Sequence, residues 1–558
     1  MISLRLLGPV ELRVDGEPPP AELLWRKHLA LLVYLARSPR GRARDHLIGM
    51  FWPDKDDARA RHSLNEALRV LRRALGEALH TEGDVVRVDA GAVTLDLDAP
   101  ENAVGGVFLE GFSVPDAPAF EDWVAGERAA LRGASLDLLN GRGEALLACG
   151  DIRAAREAAA RAVALDPCHE PSARLLMRTL ALAGDRPGAL DAYAHLARRL
   201  KDDLDAEPAT ETIKLAELVR TGARAWSAAG GRGMPRRDAT PEAGAARAGS
   251  EPVPLVGPGR DVLAGLVKLW TEVVNEVGVR CAVLRGDPGT GKSRLADELA
   301  ARARLDGGAV CLVRALGGEG TELGTGEPPD GGELWGAWAG ALAVADLGGA
   351  PPEALAGLAV FHPDIAVRFP GARTASPFPP LEAVVASMGA GAAERPMLLV
   401  LDDADRAPPE MVRLPLHLSQ RAPGARVLAL WTVARPGSSA VDDLVARVGR
   451  DVPGRVLDTT ALAEPDVADL VAWALPRFDR HAADRLIRRV LADTAGNPFL
   501  AVEVVRAVKD GLAVPGADRV WPAQHRTLDD TLPTDLPGMV IAALRQRYRS
   551  LSPQAQRA

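Results

Sequence analysis

Three fold classes in succession, α+β, all-α and α/β, are predicted for this 558-residue chain, and three observations carry that reading. The first is the run Gly286-Asp287-Pro288-Gly289-Thr290-Gly291-Lys292-Ser293, which fills every fixed position of the phosphate-cradling pattern G-x-x-x-x-G-K-S/T. The second is a Gly-Asp pair at 150–151 that returns at 184–185, a separation of 34, within a stretch of helical periodicity. The third is a strand-rich N-terminus built around a cationic amphipathic helix. Together they predict a multidomain chain: a winged helix, an all-α helical repeat, and a P-loop NTPase with a small helical lid.

The N-terminal elements come first. Leu4-Arg5-Leu6 and Val10 to Val14 alternate like exposed strands, and Asp15-Gly16 is a turn signal. Helices are expected from about Trp25 to Arg37, from Arg44 to Phe51 closed by Trp52-Pro53, and from about Asp57 to Leu79. In the third, Leu64, Leu68, Leu71 and Leu75 form one stripe; Arg59, His62, Glu66, Arg69 and Arg73 lie opposite, with Asn65 at the edge. Arg61 and Arg72 flank the stripe. Val85 to Val88, a turn at Asp89-Ala90-Gly91, and Val93 to Leu97 then predict a hairpin wing.

Charge supports a double-stranded DNA partner for this segment. The whole chain carries a net charge of −8, which excludes a protein that coats nucleic acid indiscriminately. From Arg26 to Arg73, however, twelve cations stand against five anions, a net +7, and they concentrate on the helices that would meet phosphates. Asn65 and Arg69 are the base-edge candidates. Arg59, Arg61, Arg72 and Arg73 suit phosphates, and His62 suits either role.

Ala30 to Leu35, Leu47 to Asp54, Ala60-Arg61-His62-Ser63-Leu64 and Leu71 to Gly76 resemble the N-terminal domain of the Streptomyces antibiotic regulatory protein (SARP) family. The family's third helix often has asparagine where His62 stands. The resemblance implies a transcriptional activator on promoter DNA, a homo-oligomer, and contact with RNA polymerase.

From Phe108 to about Thr221 the chain reads as paired helices, with Ala155 returning as Ala189 and Leu165-Asp166-Pro167 closing the first unit. This resembles tetratricopeptide (TPR) repeats and the bacterial transcriptional activation domain of the same regulators, with Glu207-Pro208 at its terminal loop. It predicts a protein-contact surface. Residues 222–252, rich in Gly, Ala, Ser, Pro and Arg, read as a flexible linker.

In the third part Cys281-Ala282-Val283-Leu284 reads as a buried strand and Leu295 to Arg304 as a helix, the context that the phosphate loop requires. The glycines, and Asp287, Pro288, Thr290 and Arg294 around them, let backbone N–H groups face the phosphates of ATP or ADP. Lys292 neutralises the outer phosphates and the Ser293 hydroxyl suits Mg2+. Met397 to Leu401 ending in Asp402-Asp403 has the form of a Walker B strand: Asp402 toward magnesium, Asp403 to polarise a water. Val427 to Val433 ends near Arg435, which could sense the terminal phosphate or be an ordinary surface arginine.

From about Pro252 to Val514 the chain resembles STAND signalling ATPases of the AAA+ superfamily. Leu255-Val256-Gly257 is similar to their lead-in motif beside the adenine, although Pro258 replaces the usual arginine and Arg260 follows two later. Gly496-Asn497-Pro498-Phe499-Leu500 is similar to their lid motif, whose proline, here Pro498, lies against the nucleotide. After the Walker B acids, Asp405-Arg406-Ala407 lacks the family's aromatic. The resemblance implies nucleotide exchange and slow hydrolysis that switch an assembly state. A STAND signalling ATPase whose winged helix binds protein is the competing reading.

The segments are therefore expected at 1–100 (winged helix), 101–221 (helical repeat), 222–252 (linker), 253–455 (ATPase core), 456–514 (lid), 515–533 (loop) and 534–558, the start of a further winged helix in a chain cut short of its sensor region. Gly317 to Gly332 is expected to be a loop. No run approaches the roughly 18 apolar residues of a membrane span, and Met1 to Leu6 lacks a secretory layout, so a cytoplasmic protein without membrane contact is expected. Cys149, Cys168, Cys281 and Cys311 are scattered and read as core thiols.

Overall fold

The computed structural model describes residues 2–89, 91–97, 106–230, 253–315, 331–343 and 345–509. These fall into two compact units: residues up to 142 with 158–172, and residues 143–157 with 173 onward.

In the first unit, β1 (Ile2–Arg5) pairs antiparallel with β2 (Glu11–Val14) across the turn at Asp15-Gly16. Then follow α1 (Arg26–Ala36), the short β3 (Arg42–Ala43), α2 (Arg44–Phe51) and α3 (Asp57–Leu75). The expected third helix reached Leu79, but it stops at Gly76, whose φ of 60° suits a residue without a side chain. Leu79 instead opens β4 (Leu79–Glu82), which pairs with β5 (Val85–Val88) across Gly83.

The wing is thus the β4–β5 hairpin, one strand earlier than expected. β6 (Val93–Leu95) does not pair with β5; it runs parallel to β1, giving the sheet order β2-β1-β6. Alternation marks which faces a strand buries but does not choose its partner. The Asp96 carboxylate anchors this placement by accepting from the Leu6 and Leu7 N–H groups at 2.8 and 3.0 Å.

The long α4 (Pro118–Ala148) sends its first turns into the same core. Phe120 and Trp123 lie beside Tyr34, Phe51 and Phe108, and Arg37 pairs with Glu127 at 2.7 Å. The winged helix therefore shares its apolar centre with the start of the helical segment.

α5 (Ile152–Leu165), α6 (Glu170–Leu182), α7 (Arg186–Leu204) and α8 (Thr210–Gly230) follow. The turns at 150–151 and 184–185 carry matching hydrogen bonds. Gly150 and Gly184 both have φ of 84°, Asp151 N and Asp185 N donate to Leu146 O and Leu180 O, and each aspartate caps the following helix. Residues 222–230 continue the α8 backbone rather than opening the linker, as their alanine content favours. The rest of the expected linker, the loop to residue 330 and everything after Lys509 lie outside the described residues.

The α/β part runs α9 (Pro258–Asn275), β7 (Gly278–Gly286), α10 (Lys292–Leu305), β8 (Ala309–Arg314), α11 (Gly331–Ala343), α12 (Pro352–Ala359), α13 (Asp364–Arg368), α14 (Pro380–Glu394), β9 (Met397–Asp402), α15 (Pro409–Val412), α16 (Leu414–Arg421), β10 (Arg426–Ala434), α17 (Ser439–Arg447) and β11 (Gly454–Asp458). Its strands form one parallel sheet in the order β11-β7-β10-β9-β8. Both faces are covered by apolar clusters, which is why β9 and most of β10 are buried at every position. α18 (Glu464–Ala474), α19 (Arg480–Thr494) and α20 (Pro498–Lys509) make a small helical cluster whose core takes in Val253 and Val256.

Candidate nucleotide site and nucleic-acid interface

The phosphate loop connects β7 to α10 at the C-terminal edge of the sheet, where parallel strands leave a crevice. Gly289 and Gly291 have φ of 82° and 92°, so side chains there would be strained. Lys292 is buried, and its Nζ donates to the carbonyls of Gly286 at 2.9 Å and Asp287 at 3.1 Å. Burial lowers its pKa, opposed by the carboxylates of Asp403, Asp405, Asp402 and Asp287. Burial also lowers the pKa of Arg294, whose guanidinium donates to the Val253 carbonyl.

Ser293 and Asp402 meet as the pattern requires. The Ser293 hydroxyl donates to Asp402 Oδ1 at 3.0 Å, and Thr432 Oγ1 donates to the same oxygen at 2.5 Å. Thr432 also accepts from the Asp403 N–H at 2.9 Å, so a residue on β10 holds both acids in place. Asp402 Oδ2 faces Arg314 Nε at 3.5 Å, and Arg314 also reaches Asp297 at 3.7 Å. One hydroxyl and one carboxylate are hard oxygen donors that fit Mg2+, with phosphate oxygens and water completing the shell. No cluster of three His, Cys, Asp or Glu side chains suited to a metal occurs among the described residues.

The lid motif closes on the loop by contacts that sequence reasoning missed. Asn497 Nδ2 donates to Pro288 O at 2.9 Å and Phe499 N to Gly289 O at 3.0 Å. A Cβ on Gly289 would come within 2.7 Å of Asn497 Oδ1, so glycine there also makes room for the lid. Only the likeness of Gly496 to Leu500 to a lid motif pointed at Asn497, and that likeness drew attention to Pro498. In the lead-in segment, Val256 packs into the lid core, and a Cβ on Gly257 would meet the Asp466 carboxylate at 2.3 Å. Arg435 is engaged at the end of β11, where Asp458 binds both it and Arg285. Burial alone would raise the Asp458 pKa, but the hydrogen bonds from Arg285 and Arg435 outweigh it and hold it low.

In the first unit, Arg59, Arg61, His62, Asn65, Arg69, Arg72 and Arg73 are all exposed on α3, opposite or beside the buried Leu64, Leu68 and Leu71. Arg44, Asn65, Leu68, Arg69, Arg72, Arg73 and Thr81 line an open cavity of about 470 Å³ between α2, α3 and the wing. Asn65 Oδ1 accepts from Arg44, a residue that the sequence reading left out of the site, and Arg72 donates to Thr81 Oγ1 at 2.9 Å. Arg69 and Arg73 face Glu66 and Glu22 at 3.7 and 3.2 Å, exposed pairs that water screens heavily.

Residues 87–220 match the family described as bacterial transcriptional activator domain, and residues 258–430 that described as AAA ATPase domain. The transcriptional regulatory protein MoaR1 of Mycobacterium bovis (strain BCG / Pasteur 1173P2) is 27% identical over 237 residues, covering 37% of this chain and 76% of its own. The chain is similar to a SARP-type regulator joined to an ATPase domain. Two solved structures are also similar. Mycobacterium tuberculosis EmbR in complex with a low-affinity phosphopeptide has a TM-score of 0.32 at 19% identity, covering 49% of this chain and 72% of that one. A Walker-type ATPase of Pyrococcus abyssi has a TM-score of 0.29 at 13% identity, with coverage of 44% and 67%. The AAA ATPase match spans the phosphate loop and the Walker B strand, so nucleotide binding follows from that domain match as well as from the geometry. No helix among the described residues is long and apolar enough to cross a membrane.

Proposed function

We propose that the chain is an ATP-dependent transcriptional activator that binds promoter DNA through its N-terminal winged helix, with nucleotide state controlling assembly. The observation that carries this reading is α3: seven DNA-facing candidates, five of them arginines, lie exposed on a helix whose other side is the domain core. Similarity to MoaR1, a transcriptional regulatory protein, supports the same class. In this reading Arg69 and Asn65 read base edges, and Arg59, Arg61, Arg72 and Arg73 hold phosphates, with Arg44 beside them. The helical segment is a TPR-like contact surface for other protomers or RNA polymerase. Ser293 and Asp402 hold Mg2+, which would supply charge neutralisation at the phosphates, and Asp403 orients the attacking water. The protein acts in the cytoplasm.

Two measurements test it. Replacing Arg69 and Arg73 together with alanine should weaken binding to the chain's own upstream DNA, reduce the salt slope by about one for the phosphate contact of Arg73, and relax base preference through the loss of Arg69. An unchanged slope rejects α3 as the DNA face and moves the reading to a signalling ATPase whose winged helix binds protein. Lys292→Ala should abolish ATP and ADP binding in a titration; unchanged affinity rejects the phosphate loop as the site.

A further inference from the structure

The helical segment of the second unit is seated on both elements that flank the nucleotide site. α10 starts at Lys292 and Ser293 and ends at Leu305, so one helix joins the phosphate loop to its far end. There the buried Arg302 donates through Nη2 to Leu147 O at 3.1 Å, and through Nη1 to the carbonyl and carboxylate of Glu298 at 2.9 and 2.8 Å. The Leu147 carbonyl lies in the last turn of α4, where carbonyls lack helical partners and the helix dipole is negative. Just beyond α10, Asp306 receives Arg178 of α6 at 3.1 Å and Trp270 Nε1 of α9 at 2.9 Å. Leu305 itself packs with Met177, Ala181 and Val219 of the helical segment.

The second foothold is at the lead-in segment. A Cβ on Gly150 would come within 2.8 Å of Leu255 and 3.0 Å of Leu263, so the 150–151 turn fits against them only as glycine. Asp151 faces Arg260 at 3.8 Å, and Arg260 donates to Leu255 O at 2.7 Å. Thus the rear of the phosphate-loop helix and the segment that carries Leu255-Val256-Gly257 are both held by helical residues of the second unit, within 144–157 and 173–219.

We propose that this seam couples nucleotide to the helical segment: occupancy of the phosphate loop and docking of residues 144–157 and 173–219 favour one another. A nucleotide orders the N-terminal end of α10 and the lead-in segment, while the far end of α10 and the lead-in residues Leu255 and Arg260 form the seam. Ordering one therefore lowers the entropic cost of the other, and the coupling is reciprocal. This rests on the reading of Gly286 to Ser293 as a nucleotide site.

Amide hydrogen exchange of the full chain with and without ADP tests the coupling. Amides of 146–157 and 176–189 should exchange about tenfold more slowly with ADP, within the usual range of coupling between sites. Arg178→Ala, or Asp306→Asn as a second variant, should remove that slowing and weaken ADP binding by the same factor. ADP that protects Gly286 to Lys292 yet leaves both helical stretches unchanged overturns the coupling, as do folded variants that bind ADP as tightly as the parent chain. ADP that protects nothing overturns the nucleotide reading beneath it.

Discussion

At Asp403, burial and the carboxylates of Asp402 and Asp405 oppose ionisation, and the Arg406 and Lys292 cations offset this only in part, so the carboxyl titrates above its ordinary 3.8. On the proposed reading, in which Asp403 orients the attacking water, a raised value suits its role. The residue also has φ of 59°, in the left-handed region that asparagine tolerates well. Asp403→Asn should therefore leave nucleotide binding intact and lower hydrolysis on the order of a hundredfold, measured as phosphate release. Because the folded value exceeds the unfolded one, the folded state favours the protonated form. Asp403 thus contributes stability at low pH that is lost as pH rises from 3.8 through the raised value. Melting temperatures across that range should show a smaller decline with pH for the asparagine variant.

Among the elements, α3 depends on its cap. Asp56 accepts the Arg59 N–H at 2.9 Å and satisfies one of the donors that open the helix. Asp56→Ala should cost about 1 kcal/mol, read as a lower unfolding midpoint of the first unit, whereas its exposed ion pair with Arg59 contributes little. The helix itself was legible because its apolar stripe and its cap signal both lie within one stretch of chain. Its end and the wing were not. Val85 to Val88 and Val93 to Leu97 alternate equally well, and only the closure of β6 on β1 through Asp96 separates them.

For the whole molecule, the cysteines divide by the sheet they belong to. Cys281 on β7 and Cys311 on β8 are buried within the parallel sheet, and desolvation pushes both up to about 12. Cys149 and Cys168 are half-buried in the helical segment. At pH 8 a thiol of pKa 12 is thiolate in about one molecule in ten thousand, before burial slows access further. Alkylation of the native chain should label Cys149 and Cys168 first, with Cys281 and Cys311 reacting only on unfolding, as mass spectrometry of timed samples would show. Rapid labelling of all four would mean that the sheet opens readily.

What the sequence by itself determined is what short-range chemistry encodes. The phosphate loop needs its glycines and Lys292 in order, the Walker B strand ends in its acids, α3 carries its stripe, and the two Gly-Asp turns return at one spacing. Tertiary structure decided the contacts between segments far apart in the chain: Thr432 holding Asp402, Asn497 closing on Pro288, Asp458 engaging Arg435, and Arg302 fixing the end of α4. No local pattern specifies these. Each needs a donor and an acceptor that meet only once the parallel sheet has set its strand order, and strand order follows from packing both faces of the sheet rather than from the alternation of any one strand.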